Sequence, residues 1–258
     1  GPSLITMSLT HFFTDPLWLF ATAVFLAAGA VKGIVGLGLP TLAMALLALR
    51  MPPAQAAALL VLPSLVTNVW QMRPWPTLPA LARRLAPMQA GVVAGTLLGA
   101  WWLGAPSGAW AVVALGLALI AYGGWGLIGA KLPYASPRVQ TVAGPLVGAL
   151  TGLVTAATGV FVLPAVPYLQ AQGMARDDLV QAMGLSFTVS TLALAVGLAF
   201  NHQYPVSAAA GSVALVLPAL IGMQAGQWLR QRLSPARFRV CFMAMLMGLG
   251  AWMVLRAA

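Results

Sequence analysis

The chain has 258 residues, of which 61% are hydrophobic and only 6% are charged, and its mean hydropathy is +0.93. A soluble domain is about one quarter charged, so this composition excludes a soluble globular enzyme, a disordered chain and a nucleic-acid-binding protein. The net charge of +10 comes from 13 basic residues against three acidic ones, and the basic residues stand in short gaps between apolar runs, as in the loops of membrane proteins.

Ten apolar runs follow one another along the chain, separated by short polar or proline-containing gaps. A membrane-spanning helix needs about 20 apolar residues, and most of the runs are long enough. We predict helical membrane elements over 17–32, 37–49, 54–72, 87–104, 109–130, 139–156, 160–170, 179–200, 206–229 and 236–256.

The second and seventh runs are too short to span a bilayer, and each follows a break in the apolar pattern. The first break is the glycine-rich stretch 33–40, and the second is the threonine-rich stretch 155–159. Short, interrupted segments at corresponding places in two halves of a chain are typical of transporters, where they indicate the substrate site.

Three sets of residues recur in the same order in the two halves of the chain. Gly29 and Gly33 correspond to Gly148 and Gly152, Met51 to Met174, and Pro87-x3-Gly91 to Pro218-x3-Gly222. These matches predict an internal repeat. We place the first membrane repeat at 7–130, a cytoplasmic linker at 131–138 and the second repeat at 139–258. Residues 1–6 precede the first methionine, and we interpret them as a remnant of a protease-cleavage site.

Loop charges indicate the direction of the repeats. If each broken segment crossed the membrane once, the basic loop residues would divide equally between the two sides, against the positive-inside rule. If each is a hairpin, all of them except Arg50 and Arg256 lie on one side. We therefore predict an all-α polytopic membrane protein with two inverted-topology repeats. Each repeat has about five helical elements and begins with a broken or re-entrant hairpin, with the basic loops cytoplasmic and both termini periplasmic or extracellular.

Lys32 is the one charge well inside an apolar run. Such a cation costs roughly 2.5–3.5 kcal/mol to insert into a membrane, unless it lies near a helix end and extends to the interface. Next to it, Gly33, Gly36 and Gly38 leave backbone N–H groups open, and a helix restarting near Pro40 presents its positive N-terminus. Together these features predict an anion site.

Hydroxyl and amide side chains are candidates for the rest of this site. The second break offers Thr151, Thr155, Thr158 and Gly159, and the helices that follow the two hairpins offer Thr67, Asn68, Ser186 and Ser190. The alternative is that hydroxyls bond to the carbonyls of their own helices. The two histidines, His11 and His202, give no metal-ligand pattern, so we predict no metal and no cofactor. Cys241 lies in an apolar run and is expected to be a core thiol.

Both breaks resemble the signatures of one transporter family. Residues 32–40, Lys-Gly-Ile-Val-Gly-Leu-Gly-Leu-Pro, are similar to the first-repeat signature of the sulfite exporter TauE/SafE family, also called the 4-toluene sulfonate uptake permease family. The stretch from Gly148 to Ser190, with Gln181-Ala-Met-Gly-Leu-Ser-Phe-Thr188, resembles the second signature. The resemblance implies a prokaryotic inner-membrane carrier for sulfite or organosulfonates.

The leading functional hypothesis is a secondary transporter that exports a small sulfur-containing anion by alternating access. The alternatives are an anion channel or a carrier for a non-sulfur organic anion such as a carboxylate. We do not predict an enzyme, because general acid–base catalysis needs a carboxylate or histidine, and the apolar runs contain none. The expected partners are the anionic substrate and the lipid bilayer, without nucleic acid, and a homodimer is one option for the assembly.

Overall fold

The computed structural model describes residues 14–258, and within this range all of the regular secondary structure is helical. Ten α-helices follow the ten predicted runs. They are α1 Pro16–Val35, α2 Leu39–Leu47, α3 Pro53–Gln71, α4 Leu78–Leu103, α5 Gly108–Ile128, α6 Pro137–Thr158, α7 Ala165–Gln170, α8 Arg176–Phe200, α9 Val206–Arg230 and α10 Pro235–Ala257. The proposed cleavage remnant and His11 lie outside the described residues.

Seven of these helices are long and apolar enough to cross a membrane, namely α1, α3, α5, α6, α8, α9 and α10. In contrast, α2 has nine residues and α7 has six. At 1.5 Å per residue, neither reaches half of the roughly 30 Å hydrocarbon core. The prediction of an all-α polytopic membrane protein is confirmed.

Local sequence signals set the ends of the first hairpin. Proline follows the N-cap of α1, where its missing N–H costs nothing, and the carboxylate of Asp15 accepts a hydrogen bond from the N–H of Leu17 at 2.9 Å. Gly36 ends α1 in the left-handed conformation with φ 83°, which disfavours side chains. Gly38, with φ 109°, precedes α2.

The first break is shorter than predicted, and the second break begins later than predicted. Helix α1 continues to Val35, so the chain is non-helical only over 36–38. Helix α6 continues to Thr158 because its threonine hydroxyls bond carbonyls four residues earlier instead of interrupting the helix. The second break therefore begins at Gly159 and extends to residue 164. Helix α4 also starts earlier than residue 87, since the arginine-containing stretch after Leu78 is helical.

The first hairpin returns to the side from which it came. The guanidinium of Arg50, just after α2, lies 5.2 Å from the ring centroid of Phe20 near the start of α1. Met51 and Pro52 line a cavity together with Leu17. Helices α1 and α3 consequently begin at the same end of the molecule, and α2 leads the chain back between them.

Two helix pairs pack with direct backbone contact. A Cβ atom on Gly29 or Gly33 of α1 would lie 2.2 Å from a carbonyl oxygen of α9, and one on Gly222 or Gly226 of α9 would lie 2.1 Å from a carbonyl oxygen of α1. Helices α4 and α6 meet in the same way through Gly91, Gly95, Gly148 and Gly152. The glycines from which the sequence predicts an internal repeat are therefore the residues that bring these helix pairs together.

Contact registers give the helix directions. Gly29 and Gly33 of α1 contact Ala219 and Met223 of α9, respectively, so residue numbers rise in the same direction on both helices and the pair is parallel. Helices α4 and α6 are parallel for the same reason. In contrast, Ser64 and Gln71 of α3 contact Thr191 and Val180 of α8, respectively, so α3 and α8 are antiparallel. Helices α5 and α10 are also antiparallel, because Gly116 meets Gly250 while Gly123 meets Met243.

A proline in α3 is accommodated by a serine of α9. Pro63 has no N–H to donate to the carbonyl of Leu59, and the hydroxyl of Ser212 donates to that carbonyl instead, at 2.9 Å. The same hydroxyl oxygen accepts from the N–H of Leu62 at 3.0 Å. Ser212 thus satisfies backbone groups that lipid could not.

Cys241 does not lie in the core. It lies on an exposed position of α10, among the side chains that a bilayer would cover. The expectation of a core thiol is wrong because an apolar run in a membrane protein faces lipid as readily as protein.

Candidate functional site

Lys32 is buried near the end of α1, with only 5% of its surface exposed. Its ammonium group donates hydrogen bonds to Thr67 Oγ1, at 3.1 Å, and to Asn68 Oδ1. Both acceptors are neutral, and within residues 14–258 no carboxylate is a hydrogen-bond partner of this group. The structure therefore brings together three of the candidate site residues, Lys32, Thr67 and Asn68, and leaves the lysine charge without an anionic partner among the described residues.

A hydrogen-bonded chain extends from Lys32 into the second half of the molecule. Asn68 Nδ2 donates to Ser64 Oγ at 2.9 Å, and the Ser64 hydroxyl lies 3.0 Å from that of Thr191. Because Thr191 donates its proton to the carbonyl of Phe187 at 2.7 Å, Ser64 is the donor to Thr191. This chain fixes the amide of Asn68 with its oxygen toward Lys32, so the lysine meets an acceptor and not a donor.

Lys32 lies in a cleft between the ends of α1, α3 and α9 and the start of α8. The cleft has a volume of about 470 Å³, and we call it the basic cleft. Its charged lining residues are Lys32, Arg73, Arg176, Arg230 and Asp177. Four cations against one carboxylate make the lining net positive, which raises the local concentration of anions.

The arginines of the basic cleft are the residues that sequence reasoning missed as site candidates. Arg73 follows α3, Arg176 begins α8 and Arg230 ends α9. From the sequence alone, each is indistinguishable from the basic residues that membrane proteins carry in their loops. Asp177 lies in the first turn of α8, where a carboxylate stabilises the helix N-terminus. The available signal was that all three arginines stand at or next to the ends of long apolar helices.

The residues of the first break have different surroundings. Gly33 and Gly36 line the basic cleft, and a Cβ atom at Gly36 would meet nothing within 4 Å. A Cβ at Gly33, however, would lie 2.2 Å from the carbonyl oxygen of Met223, so close helix packing requires this glycine. Gly38 lies against Val31 and Phe242, and Pro40 is buried in the first turn of α2.

The structure does not bring the second break to the basic cleft. The hydroxyls of Thr151, Thr155 and Thr158 donate to the carbonyls four residues earlier, at 2.6–2.8 Å, which is the packing alternative raised by the sequence. Gly159 ends α6 in the left-handed conformation, against Met44 of α2. The next residues, Val160 and Phe161, are fully buried. A substrate-binding role for this segment stays a prediction.

Two predicted serines are buried on α8 without a hydrogen-bond partner. Ser186 and Ser190 precede Phe187 and Thr191, the last members of the hydrogen-bonded chain, and neither hydroxyl oxygen has a partner among the described residues. Thr41 on α2 has the same property. An unpaired buried hydroxyl costs about 1–3 kcal/mol, so a hydrogen-bond partner at any of these three positions would be stabilising.

Access to Lys32 differs between the two ends of the molecule. At the opposite end, a cavity of about 420 Å³ lies among the starts of α1, α3 and α9, with Leu17, Met51, Gln55 and Pro205 in its lining. None of the described residues that line it is charged, and Lys32 is not among them. The structure therefore opens toward Lys32 from the side of the arginines.

Within residues 14–258, no group of three or more His, Cys, Asp or Glu side chains could hold a metal ion. The polytopic helical fold defines a multi-pass membrane protein, and its one-sided basic cleft is typical of anion transport proteins. A family model of the sulfite exporter TauE/SafE matches residues 21–253, and the chain belongs to this family. Membership indicates a membrane transporter for sulfite or related sulfur anions. Searches of curated proteins and of solved structures found no match.

Proposed function

We propose that the protein is a secondary transporter that exports a small sulfur-containing anion, sulfite or an organosulfonate, across the inner membrane by alternating access. The observation that carries this proposal is the buried Lys32, which has neutral hydrogen-bond partners and lies in the basic cleft. Two of the three ammonium protons are used by Thr67 and Asn68. The third is left for an oxyanion that enters the cleft, and Gly36 leaves open space beside it.

Alternating access is supported by the relation between the halves of the chain. Exchanging α1–α5 with α6–α10 converts the α1–α9 pair into the α6–α4 pair and leaves the α3–α8 and α5–α10 pairs unchanged. Inverted repeats require α3–α8 and α5–α10, which are each other's equivalents, to be antiparallel. They also require the α1–α9 and α6–α4 pairs to share one relative direction, and the contact registers agree with both requirements. We infer two inverted repeats that enclose Lys32, Asn68 and Ser64 between them.

The described conformation corresponds to one end state of this cycle. Helix α3 of the first repeat and its neighbour α9 of the second repeat separate beside the basic cleft. The equivalent pair, α8 of the second repeat and α4 of the first repeat, stays closed, with a residual cavity of only about 10 Å³. There the side chain of Asn201 donates to the carbonyl of Ala100 at 3.0 Å. We infer that the cleft is open to the cytoplasm, because the basic loops lie on that side by the positive-inside rule.

Membrane potential favours export of an anion. An inside-negative membrane drives each negative charge outward by about 2.3 kcal/mol per 100 mV. For a dianion this is roughly 4–5 kcal/mol, which supports a gradient of about a thousandfold. Apart from Asp177, no carboxylate lines the cleft, and we expect transport without a carboxylate proton relay.

The test measures ligand binding by the purified protein. Sulfite, 4-toluenesulfonate and acetate are compared by thermal shift and by titration calorimetry, since a ligand of the folded state raises the melting temperature. Lys32→Ala should abolish the shift given by the sulfur anions while the protein remains folded. Arg138→Ala removes a basic residue from the start of α6, outside the cleft lining, and should leave binding unchanged.

Two results would contradict the proposal. Unchanged sulfite and sulfonate binding by Lys32→Ala would place the site elsewhere. Binding of acetate alone would mean that the carrier handles carboxylates. Efflux of labelled anion from proteoliposomes under an imposed potential then distinguishes a carrier from a channel, because a channel gives currents far above carrier rates.

A further inference from the structure

A groove lies beside the basic cleft, on the outer surface of the helix bundle. It runs between α3 and α9, with a volume of about 830 Å³. Its apolar lining comes from Leu65, Val66, Val69, Trp70, Trp75, Leu220 and Met223, and its polar lining from Arg73, Gln224 and Gln227. Val66 is 39% exposed and Trp70 is 55% exposed, so the groove faces the surroundings of the bundle.

The groove results from the separation of two helices that touch at their other ends. Ser212 of α9 bonds to Leu59 and Leu62 of α3. Beyond this contact each helix contains a proline, Pro63 in α3 and Pro218 in α9. A proline within a helix bends it, and the groove begins directly after the two prolines.

The dimensions of the groove fit one lipid chain. Leu65 lies about 9 Å along α3 from Gln71, where the helix ends, at 1.5 Å per residue, and Arg73 follows two residues later. One leaflet of a 30 Å hydrocarbon core is about 15 Å deep. From the end of α3 the groove therefore extends over more than half of the depth of one leaflet, which is enough for part of an acyl chain.

The mouth of the groove carries the charge that a lipid headgroup would need. The guanidinium of Arg73 lies 3.3 Å from the centroid of the Trp70 ring, and its Nε donates to the carbonyl of Trp70 at 3.2 Å. These contacts hold the arginine at the interface and leave its terminal nitrogens to bind a phosphate. None of the described residues that line the groove is acidic, and tryptophan is typical of the headgroup level.

We propose that the groove binds an anionic phospholipid, with the headgroup phosphate on Arg73 and one acyl chain between α3 and α9. Basic pockets between membrane helices are known to bind anionic headgroups. Trp70, Arg73, Met223 and Gln227 line both the groove and the basic cleft. The bound lipid therefore covers the lateral side of the cleft and separates the transported anion from the bilayer.

The test is native mass spectrometry of the detergent-solubilised protein titrated with phosphatidylglycerol or phosphatidylcholine. We expect one tightly bound phosphatidylglycerol, with at least tenfold preference over phosphatidylcholine. Arg73→Gln should remove most of the preference, and Val66→Trp, which fills the groove, should remove the bound lipid. Arg138→Gln and Val142→Trp are matched controls outside the groove lining, since Val142 is 65% exposed on α6.

Three results would overturn the proposal. Equal binding of phosphatidylglycerol and phosphatidylcholine would show that Arg73 does not recognise an anionic headgroup. Displacement of the lipid by 4-toluenesulfonate but not by sulfite would make the groove the binding place of the substrate's apolar group. A dimer that dissociates in Val66→Trp would mean that a second copy covers the groove. Sulfite binding, measured in parallel, reports separately on the proposed transport site.

Discussion

The side-chain oxygen of Asn68 accepts a hydrogen bond from the ammonium group of Lys32, a residue that precedes it by 36 positions. Ser64 holds the amide in this orientation through a 2.9 Å hydrogen bond from Asn68 Nδ2. A neutral acceptor positions the lysine without cancelling its charge. The charge therefore stays available to an incoming anion.

Replacing this neutral acceptor by a carboxylate tests whether the uncompensated charge of Lys32 binds the anion. In Asn68→Asp, Lys32 gains an internal counter-ion that competes with the substrate. We expect sulfite affinity to fall by about tenfold to a hundredfold, since a hydrogen bond between charged groups is worth about 1.5–3 kcal/mol, while the melting temperature is maintained or raised. Calorimetry and thermal unfolding measure the two quantities. Asn68→Leu is the uncharged control, and an equal loss of affinity in both variants would show that charge is not the cause.

Cysteine labelling tests which side of the membrane each cavity faces. Gln227 lines the basic cleft and Gln55 lines the uncharged cavity at the opposite end. In a Cys241→Ser background, Gln227→Cys should react with a membrane-impermeant maleimide only from the cytoplasmic side, and Gln55→Cys only from the outside. Protection of Gln227→Cys by sulfite would place the anion in the cleft. Labelling of both positions from the same side would contradict the proposed topology.

The glycine contacts between helices predict a strong effect of one methyl group. A Cβ atom on Gly148 would lie 2.0 Å from the carbonyl oxygen of Met88, whereas one on Gly248 would meet nothing within 4 Å. Gly148→Ala should destabilise the fold by about 1–3 kcal/mol, the usual cost of overpacking. Gly248→Ala should be neutral or slightly stabilising, because alanine favours helix. Thermal unfolding in detergent compares the two, and similar melting temperatures would contradict the α4–α6 packing.

Ser212→Ala tests the accommodation of Pro63. The variant removes the donor to the carbonyl of Leu59 and the acceptor for the N–H of Leu62. We expect a loss of about 1–3 kcal/mol, since buried backbone groups are left unpaired. Ser207→Ala, an exposed serine in the first turn of α9, is the control. An unchanged melting temperature in Ser212→Ala would mean that another group satisfies these atoms.

The helices could largely be predicted from the sequence, because membrane helices follow from long apolar runs. Loop charge predicts on which side of the membrane each helix end lies, and that part stays a prediction. The site was only partly predictable. Lys32 stands out as a lone charge in an apolar run, and Asn68 as an amide that is costly to bury. The convergence of Arg73, Arg176 and Arg230 depends on how three distant helix ends meet, which no local pattern encodes.

The extent of the breaks was mispredicted for a physical reason. Glycine and threonine disfavour helices in water, yet Gly33 is helical because α9 packs against it, and Thr155 is helical because its hydroxyl bonds the carbonyl of Thr151 at 2.7 Å. In lipid, the need to satisfy backbone groups outweighs intrinsic propensity. Helices therefore persist up to residues such as Gly36 and Gly159, where the left-handed conformation ends them.

The ammonium group of Lys32 has no carboxylate partner among the described residues, and this affects the change of access state in the substrate-free protein. In alternating access, the protein passes through an occluded state between its two open states. Without a bound anion, the charge of Lys32 would be enclosed there without water or a counter-ion, which costs several kcal/mol. When a singly charged oxyanion lies beside Lys32, the pair is neutral, and the free-energy cost of the occluded state falls. We therefore propose that Lys32 restricts the change between the two access states to the protein that holds an anion.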